Sequence, residues 1–374
     1  MAGSNPAVST RAIAFMKRID KDIRKACTLP ASFYSSEKFL SKARDDIFEK
    51  SWQFITHESN LKSQNDAFPF RFLDDFIKEP LFLINNEDID CFSNVCTHRG
   101  NILLDKPCNV GKSISCKYHG RRFDSCGRFL SMPETKGMKD FPSSRDNLTK
   151  VPTEKWKQFI FASIDAPFDF GDLIKDVEER VGWMPIEDFT YRKDLSKEYT
   201  VDANWALYCD NYLECFHCPF VHKGLSSVLK HQEYAIELFR YSNLQLGVGN
   251  NKKDCFDLPK DSVDYGKNIA AYYFWLFPNT MLNFYPWGLS INVVKPISVK
   301  KTKIEFSSYV WDESKLDLGA GGSLDKVELE DEEIVESVQK GVLSRYYDHG
   351  RFSPKMEKGV HHFHSLVSQF FNRD

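Results

Sequence analysis

Long apolar runs are missing from this 374-residue chain. No stretch reaches 18 apolar residues, so no segment is suited to cross a bilayer as a helix. An excess of one charge is missing as well. The 50 lysines and arginines face 53 aspartates and glutamates, a net charge of −3, which gives no global pull toward nucleic acid or an anionic membrane. Internal repeats and low-complexity tracts are absent, which excludes solenoids and disordered linkers as the main architecture. The first 30 residues are polar and mixed in charge, without the apolar stretch and small-residue cleavage site of a secretory leader, so a cytoplasmic setting is expected. The ten cysteines are too dilute for a disulfide scaffold, and most are expected to be free thiols. Cysteines beside histidines are metal candidates first.

What is present is an ordinary globular composition, 42% hydrophobic and 28% charged, with 31 phenylalanines. From Phe54 to Ala166 short apolar runs alternate with turn residues: Phe70–Leu73, Leu81–Ile84, Phe92–Val95, Ser113–Cys116 and Phe159–Ala162. This texture predicts a small antiparallel β-domain. Before it, Asp45–Trp52 reads as a short amphipathic helix. After a Pro/Gly/Asp-rich linker at Asp165–Asp172, Leu173–Val181 reads as a helix. Strands are predicted at Tyr272–Phe277, Met281–Tyr285, Ser290–Val294 and Ile304–Trp311, and helices at Val327–Val342 and Lys358–Phe371. The fold class is α+β, with the β-domain inserted before a larger domain of antiparallel sheet and helices. The expected boundaries are residues 1–45 for an N-terminal helical segment packing on the larger domain, 46–166 for the β-domain and 167–374 for the larger domain.

Two constellations carry chemistry. Cys96-Thr97-His98-Arg99-Gly100 and Cys116-Lys117-Tyr118-His119-Gly120 each pair one thiol with one imidazole on a glycine-terminated loop. Such a set could hold zinc, but zinc fingers pair Cys with Cys and His with His. The alternation suits a [2Fe–2S] cluster with two thiolates on one iron and two imidazoles on the other. The second constellation runs from Asn204 to His222. Asn204–Phe216 can form a helix on which Glu214 and His217 share a face. Pro219 ends it and lets His222 turn back toward His217. Two histidines and a carboxylate with open positions make the facial triad of non-haem Fe(II) oxygenases; the competing reading is a pair of core histidines. The thiols of Cys209, Cys215 and Cys218, interleaved here, read as buried and free.

Together the motifs resemble the Rieske non-haem iron oxygenases at the catalytic α-subunit, over nearly the whole chain. The resemblance implies a helix-grip-like catalytic domain and two cofactors. Cys96, His98, Cys116 and His119 would hold a Rieske [2Fe–2S] cluster, and His217, His222 and Asp331 a mononuclear Fe(II). The carboxylates around Asp331 (Glu330, Glu332, Glu333) are rivals on chemistry alone. It also implies a homotrimer in which Glu214 links one subunit's iron site to a Rieske histidine of the next, with Asn211 orienting the iron site. No Gly-rich nucleotide fingerprint or plant-type ferredoxin pattern is present, so electrons are expected from a separate NAD(P)H-dependent reductase of flavin or ferredoxin type. The family most often has tryptophan after the second His-Gly. Here Arg121-Arg122 stands there, either as surface ion pairs or as charge that favours the reduced cluster. Glutamate at 214 and the segment Leu343–His364 resemble the branch that oxidises choline, carnitine and glycine betaine, with Tyr208, Phe274, Trp275, Tyr285 and Trp287 as candidates for an aromatic cage. A ring-hydroxylating α-subunit is the alternative, and an electron-transfer protein without catalysis a third reading.

Overall fold

The computed structural model describes residues 19–373 apart from 223, 225–227, 231, 232 and 323. The chain forms two compact units. One is Glu49–Pro167; the other joins the described residues up to Phe48 with those from Phe168 onward.

The Glu49–Pro167 unit is all antiparallel β. A five-stranded sheet runs in the order Cys108–Asn109, Asp66–Phe72, Glu79–Asn85, Ile89–Ser93, Lys150–Val151, and two three-stranded sheets accompany it. Its core is built on Phe82, Ile84, Phe92, Ile114 and Phe123, and the two motif cysteines Cys96 and Cys116 are part of that core. Each motif loop is closed by strand pairing at its base: Val95 bridges Ile102 around the first, and Ser115 pairs Arg122 around the second.

The larger unit holds an eight-stranded antiparallel sheet. Along it run Thr190–Tyr191, Lys301–Val310, Gly288–Ser298, Thr280–Tyr285, Ile269–Leu276, Ser242–Val248 and Ala235–Leu238, and Lys197–Val201 also pairs with Lys301–Val310. The long strands are almost wholly buried. Trp275 on one of them packs edge-on against Phe363 of the closing helix Lys358–Phe371, which also meets Trp205. That helix carries His364. Its Nδ1 accepts a hydrogen bond from the Leu29 amide at 3.1 Å and its Nε2 lies 2.8 Å from Asp210, so it ties the entry segment to the helix Trp205–Tyr212. No helix among the described residues is long and apolar enough to cross a membrane.

The short helix expected at Asp45–Trp52 lies earlier. A helix at Glu37–Ala43 runs into a wider π-type turn at Arg44–Phe48. Phe39, Leu40, Ala43 and Ile47 are all buried at helical spacing, so the burial pattern that sets this element begins before Asp45.

Candidate metal centres and cavity

The two cysteine–histidine loops have the same backbone construction. The amides of Gly100 and Gly120 each bond the carbonyl of the cysteine four residues earlier at 3.0 Å, and both glycines sit at positive φ, +70° and +68°. A side chain at either position would be strained, which explains the glycine at the end of each motif. Cys96 and Cys116 are buried, and the rings of His98 and His119 stand 4.7 Å apart. Burial alone would push the Cys116 thiol up, but the backbone N–H groups of Tyr118 and His119 turn toward it and hold it below its ordinary value. His98 Nδ1 is buried with no hydrogen-bond partner. Two thiols, two imidazoles and an orphaned ring nitrogen fit a cluster ligated by two cysteines and two histidines.

In the larger unit the local structure differs from the sequence expectation. The helix covers only Trp205–Tyr212, capped by Asn204, whose side chain accepts from the Ala206 amide at 3.0 Å. Glu214 and His217 therefore lie beyond the helix, in a turn, and do not share a helical face. The turn still brings them together: Glu214 Oε1 is 2.6 Å from His217 Nδ1. Pro219 does not end a helix but opens a short one, Cys218–Val221, after which His222 folds back. Cys215 and Cys218 are joined in a disulfide, contrary to the expectation of free thiols, because the turn sets their Cα atoms 5.1 Å apart, within bridging range. Cys209 is a buried free thiol.

The long helix Leu324–Gly341 delivers the third group. Asp331 Oδ1 lies 3.0 Å from His222 Nε2 and 3.4 Å from His217 Nε2. Among the described residues this is the one His/Cys/Asp/Glu cluster with metal-site spacing, its ligand atoms all within 4.8 Å of one another. Asn211 donates to Asp331 Oδ1 at 2.6 Å. Burial would push Asp331 up, but the two imidazoles outweigh it and hold the carboxyl low. Burial alone would lower His217, but the Asp331 and Glu214 carboxylates reverse this and bring it to about 9. The donor set fits a mononuclear divalent iron: two imidazole Nε2 atoms and one carboxylate converge, while each Nδ1 is held by a second carboxylate.

Residues 51–142 match the Rieske [2Fe-2S] domain, and residues 187–372 the ring hydroxylating alpha subunit (catalytic domain). The chloroplastic choline monooxygenase of Arabidopsis thaliana is 32% identical over 92% of this chain and 83% of its own length. The chain belongs to the Rieske oxygenases. The carnitine monooxygenase oxygenase subunit of Escherichia coli (strain K12) is 30% identical over 93% of this chain and 95% of its own. The quaternary ammonium Rieske monooxygenase CntA, solved with L-carnitine, shares the fold at a TM-score of 0.74, with 24% identity over 94% of this chain and 97% of that one.

The α+β architecture is thus that of a Rieske oxygenase, an oxidoreductase with a Rieske cluster and a mononuclear iron, and the carrier reading falls away. Sequence reasoning missed several residues around its sites. Glu330 Oε2 lies 2.9 Å from His222 Nδ1, matching what Glu214 does for His217. The only sequence signal was its place next to Asp331. Glu328, one turn before Asp331, accepts from the Tyr208 hydroxyl at 2.6 Å; burial, with the Asp331 charge adding to it, pushes its carboxyl up to about 8. Of the five aromatic candidates only Tyr285 lines the cavity beside the triad, and Tyr212, Tyr234 and Tyr273 join it there. Phe274 alternates to the face opposite Tyr273. Trp287 stacks behind Tyr285, and Tyr208 reaches the cavity through Glu328.

Arg121 of this Rieske oxygenase is not a surface group. It is 2% exposed, bonds Asp146 Oδ1 at 2.7 Å, and lies 4.7 Å from the Phe129 ring. Its charge is paired, so it adds little net field at the loops. Arg122 is exposed and donates to Ser113.

Two predictions arise here. With iron held by the triad, Glu330 would be the outer partner of a ligand, so Glu330→Gln is expected to weaken iron retention roughly 10–100-fold and the exposed Glu333→Ala to leave it unchanged; chelator competition measures both. The second concerns pH. His217 is raised above the ordinary value of 6.5, so in the iron-free protein its pairing stabilises the fold fully below that value and is lost as pH rises through about 9. Iron needs the neutral ring, so Fe(II) uptake strengthens from pH 6.5 toward 9 and releases a proton, read by calorimetry in two buffers of different ionisation enthalpy.

Proposed function

We propose that this Rieske oxygenase hydroxylates or N-demethylates a small quaternary ammonium compound, taking electrons from a separate NAD(P)H-dependent reductase. Hydroxylation consumes the substrate C–H bond, dioxygen, two electrons and two protons, and yields the C–OH product and one water. The observation that carries the reading is the cavity. It has His217, His222 and Asp331 in its wall and is lined by Tyr212, Tyr234, Tyr273 and Tyr285. A quaternary ammonium group has no proton to donate and is recognised by aromatic faces and carboxylates. Choline and carnitine are the substrates named for the two relatives above, which supports the same branch for this chain.

In this reading His217, His222 and Asp331 hold the mononuclear iron, and Cys96, His98, Cys116 and His119 hold the cluster. The iron, when bound, supplies dioxygen activation at its open positions. The protein supplies the rest. Glu214 and Glu330 accept from the Nδ1–H of His217 and His222 and so present both Nε2 atoms to one point. Asn211 keeps Asp331 Oδ1 turned toward them. The tyrosine walls orient the substrate and exclude water. Glu214 is also proposed to link this site to a Rieske histidine of a neighbouring subunit in a homotrimer; a solved quaternary ammonium Rieske monooxygenase is described with inter-subunit electron transfer, which supports that arrangement. The six thiols outside both the disulfide and the cluster loops support a cytoplasmic setting.

A single-turnover assay tests the reading. The holoenzyme is reduced without oxygen, mixed separately with choline, carnitine, glycine betaine and aromatic acids, and then exposed to oxygen. Mass spectrometry is expected to find an oxygenated or demethylated amine. Product from the aromatic acids alone would move the enzyme to ring hydroxylation.

A further inference from the structure

Glu328 has no task in the account above. It is not among the three converging metal-binding groups, yet its half-buried carboxyl lies in the cavity wall one helical turn from Asp331, on the same face of Leu324–Gly341. An ionised carboxylate in such a place is costly unless a cation faces it. On the reading that a quaternary ammonium compound is oxidised here, we infer that Glu328 is the counter-ion of its cationic head, and that the cavity takes cations whose other end bears no carboxylate.

The second half follows from the charge of the lining. Glu214, Glu328 and Asp331 all contribute carboxyls to it, and among the described lining residues there is no lysine or arginine. Divalent iron compensates the charge of two carboxylates, and the ligand's ammonium compensates the third, Glu328, when it ionises. A ligand carboxylate would meet like charges there and no basic partner among the described lining residues. The remaining polar wall is uncharged. Asn283 accepts from the Tyr212 hydroxyl at 2.6 Å, Gln245 from the Tyr234 hydroxyl at 2.7 Å, and Asn292 from the Ser290 hydroxyl at 2.8 Å. Such groups suit a hydroxyl or an alkyl end. The ligand class is therefore an ammonium alcohol or a plain tetraalkylammonium, not a betaine.

Calorimetric binding to the iron-loaded holoenzyme tests this with five probes: choline, tetramethylammonium, the neutral isostere 3,3-dimethyl-1-butanol, glycine betaine and L-carnitine. Choline and tetramethylammonium are expected to bind at least about tenfold more tightly than the other three. Glu328→Gln should lower choline affinity by about tenfold or more while leaving iron content and dimethylbutanol binding unchanged, and Glu328→Asp should recover part of the loss. Betaine or carnitine binding as tightly as choline overturns the inference but keeps the quaternary ammonium reading. Unchanged choline affinity in an iron-replete Glu328→Gln protein overturns the counter-ion role. Should that variant fail to load iron, the wild-type probe series decides alone. If no cation binds while an aromatic acid is oxidised, the functional reading itself fails, and the inference with it.

Discussion

Replacing Asp331 with alanine removes the mononuclear iron and leaves the Rieske absorption intact. Iron per chain is expected to fall from about three to about two, with catalytic turnover lost. Asp331 Oδ1 is the point on which both His Nε2 atoms and the Asn211 amide converge, so no neighbour can take its place. Glu330 is already committed to His222 Nδ1, and Glu333 faces solvent. The loss of iron affinity should exceed the roughly 10–100-fold expected for an outer partner such as Glu330. The cluster loops belong to the other unit of the chain and should keep their spectrum. Metal analysis together with the visible spectrum decides it: loss of both irons' signatures, or of neither, would remove Asp331 from the ligand set.

The second large effect lies in the cluster unit. Asp146→Ala should destabilise that unit by about 3 kcal/mol, because it leaves the Arg121 guanidinium buried without its carboxylate. Asp146 joins both motif loops: Thr97 of the first donates to its carbonyl at 2.8 Å, and Arg121, next to the second, bonds both that carbonyl and the side chain. Its other oxygen accepts from the Ser143 amide at 2.7 Å, which fixes the turn that presents it. The denaturation midpoint, followed by bleaching of the cluster, is expected to drop by on the order of 10 °C. Arg121→Met in the same background should recover most of the loss, since removing both charges leaves neither buried alone. A midpoint within a degree or two of wild type would mean that solvent, reaching the partly exposed Asp146 site, compensates the guanidinium.

What could be read from the linear chain is what depends on neighbours in sequence. The strand Phe159–Ala162 and the helix Lys358–Phe371 lie where the apolar pattern puts them, because period and end signals are local properties. The cysteine–histidine loops were legible for the same reason: ligand, spacing and glycine are all within five residues. The pair His217 and His222 was legible too, although the turn between them was not. A helical reading put Glu214 on the wrong element, and burial and bonding in the tertiary structure ended the helix at Tyr212.

Asp331 could be proposed only through family resemblance, since four carboxylates in a row are equivalent until the helix rotates one of them toward the histidines. That rotation is set by contacts far apart in sequence: Gln339 accepts from the Asn204 amide, and Tyr208 and Asn211 donate to Glu328 and Asp331. The same long-range packing chose Tyr212, Tyr234 and Tyr273 for the cavity over Phe274 and Trp275, joined Cys215 to Cys218, and buried Arg121 against Asp146. By itself the sequence put forward the thiols, imidazoles and acidic run that could hold iron. Only the tertiary structure decided which carboxylates and rings face them, because a side chain's direction relative to a distant segment depends on how helices and sheet pack, and that is not encoded in any local spacing.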